Sequence, residues 1–258
     1  LAVQNTLLEQ QMKGVYAQIQ SKYDHWLFLL GGRQDWVDSN YRDKVKPSSN
    51  INSQDRKFTY QGGVMYQFDN GLTPYVSYST AFVPVQQISN AGSPLKPITS
   101  SQYEVGVKYE PIGWDTAMTV SVYDLRKQDD TYLDATTNSY RQVGESRAKG
   151  VEVEVNSNIS SNFNVTAAYT YTDARITKDS ATSLVEGRQM TGVPRNQASV
   201  WGKYRFLDGQ LKGFSLGGGV RYFGSTFSYT PPTLYGKLDA GSVTLVDAAL
   251  GYQINPHW

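Results

Sequence analysis

Apolar and polar residues alternate in segment after segment of this chain, and the segments are joined by connections that are short and long in turn. The clearest pair of segments lies between positions 148 and 177. Val151, Val153 and Val155 alternate there with Glu152, Glu154 and Asn156. After a polar break, Phe163, Val165, Ala167, Tyr169 and Tyr171 alternate with Asn164, Thr166, Ala168, Thr170 and Thr172. A period of two sends successive side chains to opposite faces of a strand, so one face is apolar and the other polar. Two architectures meet that demand. One is a water-soluble sandwich with one wet face; the other is a barrel with lipid outside and water inside.

The pattern recurs along the chain. Tyr103, Val105, Val107 and Tyr109 oppose Glu104, Gly106, Lys108 and Glu110. Phe58, Tyr60, Val64, Tyr66 and Phe68 oppose Thr59, Gln61 and Gln67, and Ala198, Val200, Tyr204 and Phe206 oppose Ser199, Lys203 and Arg205. Segment 25–37 is less regular, with Leu27 and Leu29 against Trp26, Phe28 and Leu30. In all, about eleven segments have the length of a membrane strand: 13–22, 25–37, 56–68, 72–82, 101–110, 114–127, the two of the pair above, 196–206, 213–225 and 242–254. Helical periodicity is nearly absent. The one helix-like stretch, 5–12, is short and reads equally as loop.

The connections separate the two architectures. Those at 23–24, 69–71, 111–113, 157–162 and 207–212 are short, and Asp69-Asn70-Gly71 and Pro111-Ile112-Gly113 carry turn chemistry. Those at 38–55, 83–100, 128–147, 178–195 and 226–241 are long. A sandwich has no reason to gather every long loop at one end, whereas outer-membrane barrels do so. The expectation is therefore all-β: an antiparallel, up-and-down transmembrane β-barrel. Its apolar face meets lipid, because a charge there costs ~2–4 kcal/mol at the bilayer midplane. The 19 tyrosines supply material for aromatic girdles at the two interfaces. Bacterial single-chain barrels have an even strand count. An odd count thus predicts a partial barrel, with further strands before Leu1 and after Trp258, and the lack of an initiator Met fits a fragment or processed chain.

Composition excludes several functions. A formal net charge of +1 gives no bulk attraction for nucleic acid. With no cysteine, disulfides and thiolate metal sites are ruled out. The longest apolar run, at 26–30, falls far short of the ~20 residues of a membrane helix.

Six blocks carry a resemblance: FDNGLTPYVSYSTAFVP from Phe68, SSQYEVGVKYEP from Ser100, SRAKGVEVEV from Ser146, VTAAYTYTDARIT from Val165, GVPRNQASVWGKY from Gly192 and LVDAALGY from Leu245. In residues, order and spacing they resemble the C-terminal half of the TonB-dependent siderophore receptors, above all the ferrichrome and ferrioxamine type. The resemblance runs from about Gly14 to Tyr252. It implies a location in the bacterial outer membrane and a barrel of about 22 strands filled by an N-terminal plug. Residues 1–258 would be one part of that barrel, with the plug domain and terminal strands outside the chain. The implied partners are a ferric siderophore of hydroxamate type, the TonB complex acting through the N-terminal region, and membrane lipid, with a monomeric receptor. Iron would arrive inside its chelate, so no cofactor and no protein-bound metal are expected. Two other functions stay open: a passive porin, and a surface receptor or adhesin whose loops do the binding.

No catalytic constellation is visible, and no enzyme activity is expected. His25 and His257 sit at short turns. Glu152 and Glu154 share a strand face, but with Glu104, Lys108, Arg205 and Arg221 they read as polar groups of a lumen wall. Asp129-Asp130 opens a long connection and reads as solvated loop, with too few oxygen ligands for a hard cation. Gly217–Gly219 follows no phosphate-loop pattern and reads as a place of close backbone approach. For a compact, partly apolar chelate, the candidate contacts are Tyr132, Tyr140, Phe227, Tyr229 and Tyr235, aromatics in or beside the long connections.

Overall fold

A computed structural model describes residues 5–45, 50–85, 95–134, 139–142, 144–179, 186–230 and 236–255. Its strands are β1 (Thr6–Tyr23), β2 (Trp26–Asp43), β3 (Ile51–Tyr66), β4 (Leu72–Val83), β5 (Ile98–Tyr109), β6 (Thr116–Gln128), β7 (Thr131–Asp134), β8 (Ser139–Gln142), β9 (Glu145–Asn158), β10 (Phe163–Lys178), β11 (Asn196–Arg205), β12 (Phe214–Phe223), β13 (Thr226–Thr230), β14 (Gly236–Ala240) and β15 (Val243–Tyr252). One antiparallel meander of 11 strands runs β1-β2-β3-β4-β5-β6-β9-β10-β11-β12-β15. The hairpins β7–β8 and β13–β14 are separate two-stranded sheets. Each of the eleven expected segments is one strand of the meander. Among the described residues no helix is long and apolar enough to cross a membrane, so any crossing falls to strands.

Cross-strand register aligns the apolar residues into rows. Val76, Val105, Val122 and Val151 stand directly opposite one another in turn, leading to Tyr171. The row beside it runs Pro74, Val107, Val120, Val153, Tyr169 and Ala198. No described residue covers this face: Val105, Val120, Val200 and Val246 are 54%, 48%, 52% and 78% exposed. An exposed apolar wall of this extent is a surface that lipid covers.

Two aromatic ladders bound the wall. Trp26 and Tyr66 meet edge-on at 4.8 Å and Tyr66 meets Phe68 at 4.7 Å, with the pairs Tyr204–Phe206 and Phe214–Tyr252 at the same end of the strands. Toward the other end, Tyr60, Tyr78 and Tyr103 step across β3, β4 and β5 at 5.7 and 4.5 Å. Beyond this second ladder the same face turns charged. Asp124, Lys149 and Asp173 stand opposite one another, followed by Arg126, Arg147 and Arg175. Asp124 pairs with Arg147, and Asp173 with Arg175 at 2.9 Å. The change from valine rows to charged rows marks the edge of the hydrocarbon layer.

The connections at 24–25, 67–71, 110–115, 159–162 and 206–213 share one end of the sheet, as their lengths predict. Gly71 has φ +86°, and a Cβ there would meet the Glu110 carbonyl oxygen at 1.9 Å, so this turn needs glycine. At the first turn Asp24 takes φ 53°, which aspartate tolerates.

Three local readings change. Residues 6–12 are strand, paired with 37–43 of β2, because the ladder continues past the apolar region. Much of the connection expected at 38–55 is likewise the outer part of β2 and β3. Asp130 of the Asp129-Asp130 pair is not solvated: it is 6% exposed and accepts hydrogen bonds from the Ser146 hydroxyl at 2.5 Å and the Thr131 amide at 3.0 Å. A buried carboxylate held by two donors is an anchor for the connection.

Candidate functional site

Opposite the apolar wall, aromatic side chains lie flat across glycines of neighbouring strands. Tyr75 stands opposite Gly106, and a Cβ at Gly106 would come within 2.6 Å of its ring. The Tyr75 hydroxyl reaches Glu104 at 2.6 Å, Gln102 donates to the other carboxylate oxygen at 3.0 Å, and the Lys108 ammonium sits 5.6 Å above the ring. Tyr123 crosses β9 at Gly150 and hydrogen-bonds Thr172 of β10 at 2.9 Å. Trp201 lies over both Gly217 and Gly219, where an added Cβ would sit 2.5 Å from the indole. The glycine run is thus a place of close approach, by a side chain as well as by backbone.

Charged residues on this face are arranged in pairs and rows. Glu152 stands opposite Ser121 and Thr170, and Glu154 opposite Thr119 and Ala168. Arg221 bonds Asp247 at 2.9 and 3.2 Å. Arg33 clasps Asp35 through Nε at 2.8 and 2.9 Å, and its guanidinium fills the space that a side chain at Gly14 would take. Asp35 is 3% exposed, so this carboxylate is fully engaged. Beside the pair, a recess of about 340 Å³ is lined by Tyr16, Gln18, Gly31, Arg33, Thr59 and Gln61. Such a wall offers hydrogen-bond donors, acceptors and flat rings to whatever fills the barrel.

The long connections form the rim. Tyr132 lies on β7 opposite Arg141, and Tyr140 on β8 opposite Leu133. Phe227 and Tyr229 lie on β13, opposite Asp239 and Lys237. The Phe227 carbonyl accepts from the Gly192 amide at 3.1 Å, which ties this hairpin to the connection after β10. Tyr235 lies outside the described residues, as does His257. The four described candidates therefore belong to two hairpins, one between β6 and β9 and one between β12 and β15. Sequence reading passed over Tyr16, Arg33, Tyr75, Tyr123 and Trp201 as a set. The available signal was an aromatic facing a glycine on the next strand, which only the register brings together.

At the short-turn end, His25 lies between two carboxylates, with Nδ1 2.9 Å from Asp24 and Nε2 3.1 Å from Asp69. The Asp24 contact, then Asp69, raises the imidazole pKa, and His25 in turn lowers that of Asp24. Among the described residues no group of three or more His, Asp or Glu could hold a metal ion.

Apolar wall, paired girdles, polar inner face and long connections at one end together define an outer-membrane β-barrel wall. The family model for the TonB dependent receptor-like β-barrel matches residues 3–258, and the chain belongs to that family. The ferrichrome outer membrane transporter/phage receptor of Escherichia coli K12 is 41% identical over 249 residues, 96% of this chain and 32% of that protein. The ferrioxamine B receptor of Salmonella typhimurium SL1344 is 38% identical, over 94% of this chain and 34% of its own length. The chain thus spans about a third of these relatives. Among solved structures, the siderophore receptor PiuA of Acinetobacter baumannii superposes with a TM-score of 0.76 at 23% identity, covering 96% of this chain and 38% of that one. That likeness concerns the fold. The family is one of receptors and transporters, not enzymes.

Proposed function

We propose that this chain is part of the barrel wall of an outer-membrane receptor that takes up a ferric siderophore of hydroxamate type. The observation that carries the reading is the agreement between two relatives, at 41% and 38% identity over nearly the whole chain, whose names specify ferrichrome and ferrioxamine B. The polar inner face supports it, because paired charges and flat aromatics suit contact with an enclosed protein domain better than a free water column. In this reading a plug encoded outside residues 1–258 fills the lumen, and the TonB complex acts on it from the periplasm. The rim hairpins carrying Tyr132, Tyr140, Phe227 and Tyr229 meet the chelate, and Tyr235 is a further candidate contact. Iron stays in the chelate and the protein supplies no ligand to it.

The test uses the full-length receptor in a strain lacking its own hydroxamate receptors. Uptake of radio-iron as ferrichrome and as ferrioxamine B is measured with and without TonB. Saturable uptake of either that disappears without TonB is the expected result. TonB-independent flux with steady ion conductance in planar bilayers would instead identify a passive channel.

A further inference from the structure

Gln142 joins two neighbouring connections at the long-connection end of the sheet. It is the last residue of β8, on the hairpin between β6 and β9. Its side-chain amide nitrogen donates to the Lys96 carbonyl at 2.6 Å and to the Asp129 carbonyl at 2.9 Å. Its amide oxygen accepts from the Lys96 main-chain N–H at 2.9 Å. Lys96 belongs to the connection between β4 and β5 and precedes Pro97, which favours an extended backbone. In an extended residue the N–H and C=O point to the same side, as in a strand pair. One primary amide can satisfy both, so Gln142 takes the place of a neighbouring strand for a single residue. The arrangement needs one donor and one acceptor on the same short arm, which glutamine supplies and Leu or Glu does not.

The hairpin end of the contact is itself fixed. Asp130 is held by Ser146 and Thr131, and the Asp129 amide donates to the Gly144 carbonyl at 3.3 Å. We infer that Gln142 is a latch that fixes the chain entering β5 at Lys96 to the β7–β8 hairpin, so that these two parts of the rim move as one. Resting on the reading above, the latch slows release of a bound chelate by holding these two neighbouring parts of the rim together.

Amide hydrogen exchange of the full-length receptor in lipid, without ligand, tests the latch. Gln142→Leu and Gln142→Glu should each speed exchange at Lys96 about tenfold, the loss of roughly one net hydrogen bond, while the Val122 amide stays protected. Asp130→Ala should also speed exchange at Lys96 in the native background and add nothing in the Gln142→Leu background. Unchanged exchange at Lys96, or additive effects of the two substitutions, overturns the latch. Gln142→Leu should also release pre-bound ferrioxamine B several-fold faster, and equal release rates overturn the retention role. Failure of the native receptor to bind ferrioxamine B counts against that ligand alone, because the exchange result is read without it.

Discussion

The two faces of this sheet are made from the same strands and held by different physics. On the outer face, valines and aromatics meet in cross-strand rows and stay exposed, with no described residue packed over them. Their environment is lipid, so the requirement is chemical: any apolar residue serves, and any charge is costly. On the inner face the contacts are individual. Tyr75 needs Gly106, Tyr123 needs Gly150, and Trp201 needs Gly217 and Gly219. There the requirement is one of shape and pairing. The outer face should therefore tolerate changes of size and reject changes of polarity, and the inner face should do the reverse.

Substitutions can break that contrast. Val153→Arg puts a cation in the middle of the outer apolar row, and about 2–4 kcal/mol of stability in lipid should be lost; unfolding of the full-length receptor in vesicles measures it. Gly150→Ala is a small apolar change on the inner face, yet its Cβ would lie 2.4 Å from the Tyr171 carbonyl oxygen and 2.5 Å from the Tyr123 ring. A loss of about 1–3 kcal/mol is expected from such overpacking, seen in the same assay. Glu152→Gln keeps shape on the inner face and should stay within about 0.5 kcal/mol of the native protein. A larger effect of Glu152→Gln than of Val153→Arg would reverse the assignment of the faces.

The smallest effect is at the exposed His25 turn. His25 has its pKa raised by Asp24 and Asp69, so its contribution is fully present below its unfolded value of about 6.5 and is lost as pH rises through the raised folded value. Asp24 is lowered by His25, so its contribution is present above the unfolded carboxylate value and lost as pH falls through the folded one. His25→Gln should flatten the slight decline in stability above neutrality and leave the acid side with a weaker Asp24 contribution. Identical pH profiles for native and variant receptor would remove this role.

The outer face was legible in the sequence because lipid imposes a rule on every second residue. That rule placed all eleven meander strands and both kinds of connection. It fails where the strands leave the membrane. Residues 6–12 do not alternate, with Leu7 and Leu8 adjacent, and 38–43 are largely polar; their pairing follows from a ladder already begun below them. Hairpins β7–β8 and β13–β14 carry no bilayer pattern, so alternation alone leaves them as loop. On the inner face, alternation marked Glu152 and Glu154 as neighbours. It could not pair Tyr123 with Gly150 or Arg33 with Asp35 over Gly14, because those contacts depend on register. Asp130 reads from sequence as a solvated loop residue and Gln142 gives no signal: each is defined by a partner distant in sequence, at Ser146 and Lys96.

The central claim is that the valine face meets lipid and the glutamate face meets the lumen. Val120 and Ser121 are adjacent on β6 and point to opposite faces, residues 1–258 hold no cysteine, and any cysteine elsewhere in the receptor is first replaced by serine. Nitroxide labels placed singly at Val120→Cys and Ser121→Cys in the full-length receptor, in lipid vesicles, would be relaxed by dissolved oxygen and by a polar nickel chelate. The account predicts that the label at 120 responds to oxygen and not to nickel, and that the label at 121 is shielded from lipid-dissolved oxygen. Equal oxygen responses at both positions, or the reverse pattern, would contradict it.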